Sequence, residues 1–252
     1  MSGVGSSHIV FTDGDNTLWD TNDLYLRAQE DLLRRIECEV GQIVPASDRI
    51  GWLRQIDQKI AQKHPRGLAY PVNLLIRRVA NELCGRELRD GDNSAQMGDP
   101  LLSNGAIEEI SEAYEQTRNA VPTPRPGVKE GLADLANSGV EFVVVTEREK
   151  KKTVCILHQL QLRMFVSKVF QINKRIETFT RIKRLSWASR TKWMVGDQLS
   201  KDIEPAKRAG FYTIWYPGGF SPFWEAQELQ RFADHKIEEF TEIKQILGIS
   251  EN

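Results

Sequence analysis

Hydrophobic positions fall into two patterns along the chain. Short apolar runs occur at 7–12, 140–145, 168–172, 192–195 and 211–216, most of them ending on Gly, Asp, Asn or Thr. Runs of this length, bounded by turn residues, predict buried strands. Helical periodicity lies between most of them, at Glu149–Leu160, Ile176–Trp187 and Ser200–Ala209, the last closed by Gly210. Pro205 falls in the first turn of that third helix, where the missing N–H costs nothing. Strands alternating with helices predict an α/β fold, a parallel sheet covered on both faces.

From about Thr21 to Ala120 the strand signal vanishes. Leu24, Leu26, Ala28, Leu32, Leu33 and Ile36 share one helical face, and Trp52, Leu53, Ile56, Ile60 and Ala61 a second. Leu74, Leu75, Val79, Ala80 and Leu83 predict a third helix, and Ile107, Ile110 and Tyr114 a fourth. The Gly- and Asp-rich piece from Gly85 to Gly105 predicts a long loop. These boundaries divide the chain into a core of residues 1–20 and 121–252 and an all-helical insertion of residues 21–120. The insertion returns through the turn-prone segment Val121-Pro-Thr-Pro-Arg-Pro-Gly127.

Charge changes this picture in one place. The 252 residues carry a net charge of -1, which gives no sign of a nucleic-acid partner. Yet Glu147 to Lys192 holds thirteen Lys or Arg against three acids, a local excess of ten. Either these are solvated helix faces or they form a field that draws an anionic substrate. Three scattered cysteines, Cys38, Cys84 and Cys155, have no metal-ligand spacing and suit reduced thiols in the cytoplasm. No run approaches the ~20 apolar residues of a membrane span, and no secretory signal is visible. The four histidines make no triad.

Candidate chemistry sits where strands end. The run Ile9-Val10-Phe11 leads into Asp13-Gly14-Asp15-Asn16-Thr17. In open α/β sheets, ligands bind at the carboxyl ends of strands. Two acids this close suit a shared hard cation such as Mg2+. A carboxylate can also act as a nucleophile. An EF-hand loop is excluded, because Leu18 and Leu24 stand where Gly and Glu are required. A second strand, Trp193-Met194-Val195, ends at Gly196-Asp197, with Asp202 five residues on. Between them a third ends at Thr146.

This ordered set resembles the haloacid dehalogenase superfamily, whose pattern is Asp-x-Asp-x-Thr, a strand-terminal Thr or Ser, a Lys, and Gly-Asp-x-x-x-x-Asp. The resemblance implies a Rossmann-like core, with the helical insertion as a cap domain of the type placed just after the first motif. It implies a Mg2+-dependent phosphatase acting on a small phosphorylated metabolite through an aspartyl phosphate. Asp13 is then the nucleophile and Asp15 the general acid and base, while Gly14 allows close approach of the phosphoryl group. Thr17 orients Asp15 or caps its turn. Thr146, the backbone amides of Glu147 and Arg148, and Lys174 face the phosphate; Lys183 is the alternative lysine. Relatives often have Thr-Asn or Thr-Gly where this chain has Thr146-Glu147-Arg148, leaving the second donor open; the Arg148 side chain reaches the substrate or lies on the surface. Mg2+ is held by Asp13, the carbonyl of Asp15, and Asp197. Asp202 steadies that shell or complements a helix N-terminus. Trp19 and Asp20, like the loop His64–Tyr70, touch substrate or merely shape the chain. The alternatives are a phosphomutase or phosphotransferase, a 2-haloacid dehalogenase, and an inactive binding protein on the same fold.

Overall fold

The computed structural model describes residues 7–65, 67, 70–86, 101–185 and 189–249. The chain divides into two compact units, residues 1–22 with 121–252, and residues 23–120.

In the first unit the chain runs through β1 (His8–Thr12), β2 (Trp19–Asp20), β3 (Thr123–Pro124), β4 (Glu141–Thr146), β5 (Val166–Gln171), β6 (Thr191–Gly196), β7 (Tyr212–Trp215) and β8 (His235–Lys236). Six of these form one sheet in the order β5-β4-β1-β6-β7-β8, with every pair parallel. β2 and β3 pair antiparallel beside it. Side chains of a strand alternate between faces, and the packing follows that parity. Val10, Phe142, Val144 and Val195 share a core with α5 (Val128–Asn137), α6 (Lys150–Gln159) and α9 (Ile243–Ile246). Ile9, Phe11, Val143 and Val145 pack on the opposite face with α7 (Ile176–Lys183) and α8 (Glu204–Arg208). The central strand β1 therefore holds its carboxyl end between two neighbours and two helical layers.

The second unit consists of α1 (Asn22–Val40), which begins one residue before it, with α2 (Arg49–Lys63), α3 (Val72–Leu83) and α4 (Asn104–Arg118). Their apolar faces meet in a separate core that includes Leu32, Ile36, Leu53, Val79 and Ile110. A half-buried polar network crosses this unit. Asp57 accepts from the Tyr70 hydroxyl and from Gln29 Nε2 at 3.1 Å, and Arg54 Nε donates to Gln29 Oε1 at 3.1 Å.

Several sequence expectations need correction. Gly105 lies in the first turn of α4, because Ser103 caps that helix by accepting from the Ala106 amide at 3.1 Å. Residues 87–100 of the expected loop lie outside the described residues. So do residues 66, 68 and 69 of the His64–Tyr70 loop. The helix expected over 176–187 stops at Lys183, and Trp187 lies outside the described residues. The helix expected from Ser200 is instead a wide π-type turn, Leu199–Ile203, followed by the short α8. α5 was not anticipated: only Val128, Leu132 and Leu135 mark its buried face, with Gly131 among them. Among the described residues, no helix is long and apolar enough to cross a membrane.

Candidate active site

The sheet itself aims Asp13. The β1–β6 ladder runs one residue beyond the strand, with the Asp13 amide donating to Val195 O at 2.9 Å. Thr12 Oγ1 donates to Asp13 O at 2.9 Å, fixing the peptide that follows. The chain then turns back tightly, and Gly14 O accepts the amides of Thr17, Leu18 and Trp19 at 2.8–3.2 Å. Asn16 takes a left-handed conformation (φ 56°), which Asn tolerates better than most residues. Its Oδ1 accepts from both the amide and the hydroxyl of Thr21, at 3.0 and 2.8 Å.

Asp15 is held from two sides. Trp19 Nε1 donates to Oδ1 at 2.7 Å, and Arg148 Nε donates to Oδ2 at 2.9 Å. The Trp19 ring is fully buried and lies where a side chain at position 14 would be, 2.5 Å from an ideal Cβ. Gly14 thus makes room for the indole that steers Asp15. Thr17 is linked to this turn through its amide, while its buried hydroxyl has no hydrogen-bond partner.

The other strand ends converge on Asp13. Lys174, three residues beyond β5, is buried, with Nζ 2.6 Å from Asp13 Oδ1 and 2.6 Å from Asp202 Oδ1. Lys183 instead donates to Gly210 O at 2.9 Å. At the end of β6, Gly196 lets Asp202 fold back beneath it, since a Cβ there would lie 2.3 Å from Asp202 Cβ. The π-type turn sets this up, and Asp202 Oδ2 accepts the Gln198 amide at 3.1 Å. Asp13, Asp197 and Asp202 each offer an oxygen to one buried cluster within 4.8 Å. Asp15 adds no side-chain oxygen to it. At the end of β4, Thr146 is buried, and its Oγ1 accepts the Arg148 amide at 3.0 Å. Glu147 turns its carboxylate to the Lys174 amide at 3.2 Å and to Lys201 Nζ at 3.3 Å.

Electrostatics mark the cluster as incomplete. Burial, opposed by Lys174 but reinforced by Asp202 and Asp15, pushes the Asp13 carboxyl up to about 7. Burial, with Asp202 and Asp13 adding to it, also raises Asp197 well above the carboxylate range. Burial alone would depress the Lys174 ammonium, but Asp13 and Asp202 raise it above its usual value. One ammonium therefore serves three acids. Both oxygens of Asp197 are buried without a donor from another residue. A hard divalent cation, which takes oxygen ligands, fits this donor set.

A family model described as haloacid dehalogenase-like hydrolase matches residues 86–216. The chain belongs to that family. The matched span takes in Thr146, Lys174 and Asp197 and begins after Asp13. Comparison with curated proteins finds no match. Among solved structures, this hydrolase is similar to the HAD-hydrolase YfnB from Bacillus subtilis, determined bound to magnesium (15% identity, 96% of this chain and 99% of that chain, TM-score 0.61). It is also similar to a protein from Haemophilus somnus 129pt named as a predicted phosphoglycolate phosphatase (16%, 96% and 98%, 0.59). A 2-haloacid dehalogenase from Pseudomonas syringae pv. Tomato DC3000 matches as well (23%, 96% and 98%, 0.53). At these identities the likeness shows the Rossmann-like fold and leaves the specific reaction open.

Sequence reasoning passed over one residue of the hydrolase that the structure makes prominent. Arg125, between two prolines of the return segment, donates through Nη1 to Asn16 O at 2.6 Å and Tyr216 O at 3.3 Å. Nη2 donates to Pro217 O at 2.8 Å, and the guanidinium stacks on the Tyr216 ring 3.4 Å from its centroid. It ties the turn carrying Asp15 to the loop after β7. The only signal in the sequence was an arginine inside a Pro- and Gly-rich turn.

Proposed function

We propose that this hydrolase is a Mg2+-dependent phosphatase for a small phosphorylated substrate, working through an aspartyl phosphate on Asp13. The observation that carries this reading is the buried Asp13 carboxylate, set against Lys174 and the donorless Asp197, with Asp15 two residues on. Asp13 attacks phosphorus as the bond to the ester oxygen breaks, and Asp15 gives that oxygen its proton. In the second step Asp15 takes a proton from water, which attacks phosphorus and releases Asp13. Lys174 places positive charge where the phosphoryl oxygens gather negative charge. Asp13, Asp197 and the Asp15 carbonyl would hold Mg2+, which when bound adds positive charge at the same oxygens.

Attack on carbon, as in a dehalogenase, is the weaker reading. A halide leaves without a proton, so its displacement has no use for an acid at Asp15 and no need of a cation beside Asp197. The test is hydrolysis of an aryl phosphate with Mg2+, with excess chelator, and after Mg2+ is restored. Turnover should vanish and return. Undiminished turnover in chelator, or release of halide from a 2-haloacid in its place, would overturn the proposal.

A further inference from the structure

Both oxygens of Asp15 are engaged, and this sits awkwardly with a group that must hand a proton to a leaving oxygen. Of its two partners, Trp19 is fixed: it is fully buried, with its ring over Gly14. Arg148 is different. It stands between β4 and α6, and its side chain retains 17% exposure. If one oxygen of Asp15 is to turn to the substrate, it is Oδ2, whose partner stands at the surface, on a side chain that can move away.

A guanidinium exchanges a carboxylate most readily for another anion, because charge-assisted pairs are the strong ones. The transferring phosphoryl group is spoken for by Asp13 and Lys174. We propose, building on the phosphatase reading, that Arg148 recognises a second anionic group on the substrate, a carboxylate or a phosphate carried beside the phosphomonoester. Binding of that group draws Arg148 away and frees Asp15 Oδ2 for the leaving oxygen. The recognised substrate thereby unlocks its own acid, and an ester without a second charge leaves Asp15 paired.

The surroundings favour an anion at this point. Lys150, Lys151 and Lys152 follow at the start of α6, and Arg175 follows Lys174; all four are exposed. Of the three acids between residues 147 and 192, Glu147 is already committed to Lys201 and the Lys174 amide. A second anion arriving at Arg148 therefore enters a positive field.

The experiment compares an alkyl phosphate, its analogue with a carboxylate on the neighbouring carbon, and the corresponding bisphosphate, with wild type, Arg148→Met and Arg148→Lys. Wild type should prefer one anionic analogue over the plain ester by about tenfold to a hundredfold in kcat/KM, the scale of one charged hydrogen bond. Whichever analogue wins identifies the second group as carboxylate or phosphate. Arg148→Met should collapse the ratio, whatever it does to the plain ester, and Arg148→Lys should keep part of it. No preference in wild type, or an equal loss on all three substrates in Arg148→Met, overturns the inference. Calorimetric binding of the same compounds to Asp13→Asn protein decides it without turnover: the favoured analogue should bind at least tenfold more tightly than the plain ester, and equal affinities would sink it. If wild type with Mg2+ hydrolyses none of the three, the phosphatase reading fails, and this binding comparison still judges Arg148.

Discussion

Asp57 in the helical unit, half-buried, and Asp197 in the sheet unit, buried, are treated in opposite ways. In the helical unit Asp57 is raised by burial, an effect that Tyr70, Gln29 and Arg54 partly offset. Its oxygens meet a hydroxyl and an amide, as polar groups withdrawn from water normally do. In the sheet unit Asp197 is raised by burial too, but its nearest charges are mostly acids and neither oxygen meets a donor from another residue. Burying a charge without a partner is costly. A satisfied acid explains itself as structure. An unsatisfied one implies something that arrives later.

The severest test of this contrast is Asp13→Asn. An amide cannot attack phosphorus, so turnover should fall by roughly a million-fold, the scale seen when a nucleophile is deleted. Labelled phosphate should never attach to this variant, whereas Asp15→Asn given an activated aryl phosphate should accumulate label at Asp13. Label on Asp13→Asn would end the mechanism and leave the fold.

Asp197→Asn comes next. Its Mg2+ half-saturation should rise by about tenfold to a hundredfold, in line with disturbed metal sites. The variant should also change stability in the absence of metal, with a sign that linkage fixes. Asp13 is raised to about 7 in the folded protein and Asp197 is raised as well, so from the ordinary carboxylate value of 3.8 up to at least about 7 the folded state holds protons that the unfolded state has released. Metal-free wild type should therefore lose stability as pH rises through that window. Asp197→Asn should flatten the loss and be the more stable protein at pH 8, as urea melts at pH 5 and pH 8 would show. A steeper pH dependence in the variant would mean Asp197 is already satisfied.

The mildest test lies in the helical unit. Tyr70→Phe removes a donor from Asp57 and should cost about 1–3 kcal/mol of stability. Its Mg2+ half-saturation should not move. A shift there would show that the polar network of the helical unit does more than hold its own helices.

What could be read in the sequence was whatever depends on neighbours along the chain. Val10 and Phe11 alternate between the two cores as strand parity requires, and Asp13 and Asp197 are legible because each follows its strand directly. Lys174 and Asp202 were also marked by position, and the structure brings both to Asp13. The rest depends on where separate loops meet. Trp19 reaches back to Asp15 only because the turn after β1 doubles over Gly14. Arg148 reaches Asp15, and Arg125 reaches Asn16, from segments more than a hundred residues away. The π-type turn at Leu199–Ile203 is hidden in ordinary helical periodicity. It is specified by the space beneath Gly196.

The position of β1 at the centre of the sheet has a consequence for how the protein comes into being. Its register pairs His8 with Thr191 on one side and Ile9 with Glu141 on the other. At about 5–20 residues per second on the ribosome, β1 waits roughly 10–40 s after its own synthesis before β6 exists. Pairings this distant in the chain are also slow to close once both strands are made. Until β4 is made, the buried apolar residues of β1, with Asp13 at their tip, have no ladder to join, and until β6 is made they have one on one side alone. The nascent protein is then at its most vulnerable to chaperone capture or aggregation, and any substitution that makes β1 stickier should act on yield before it acts on the folded enzyme.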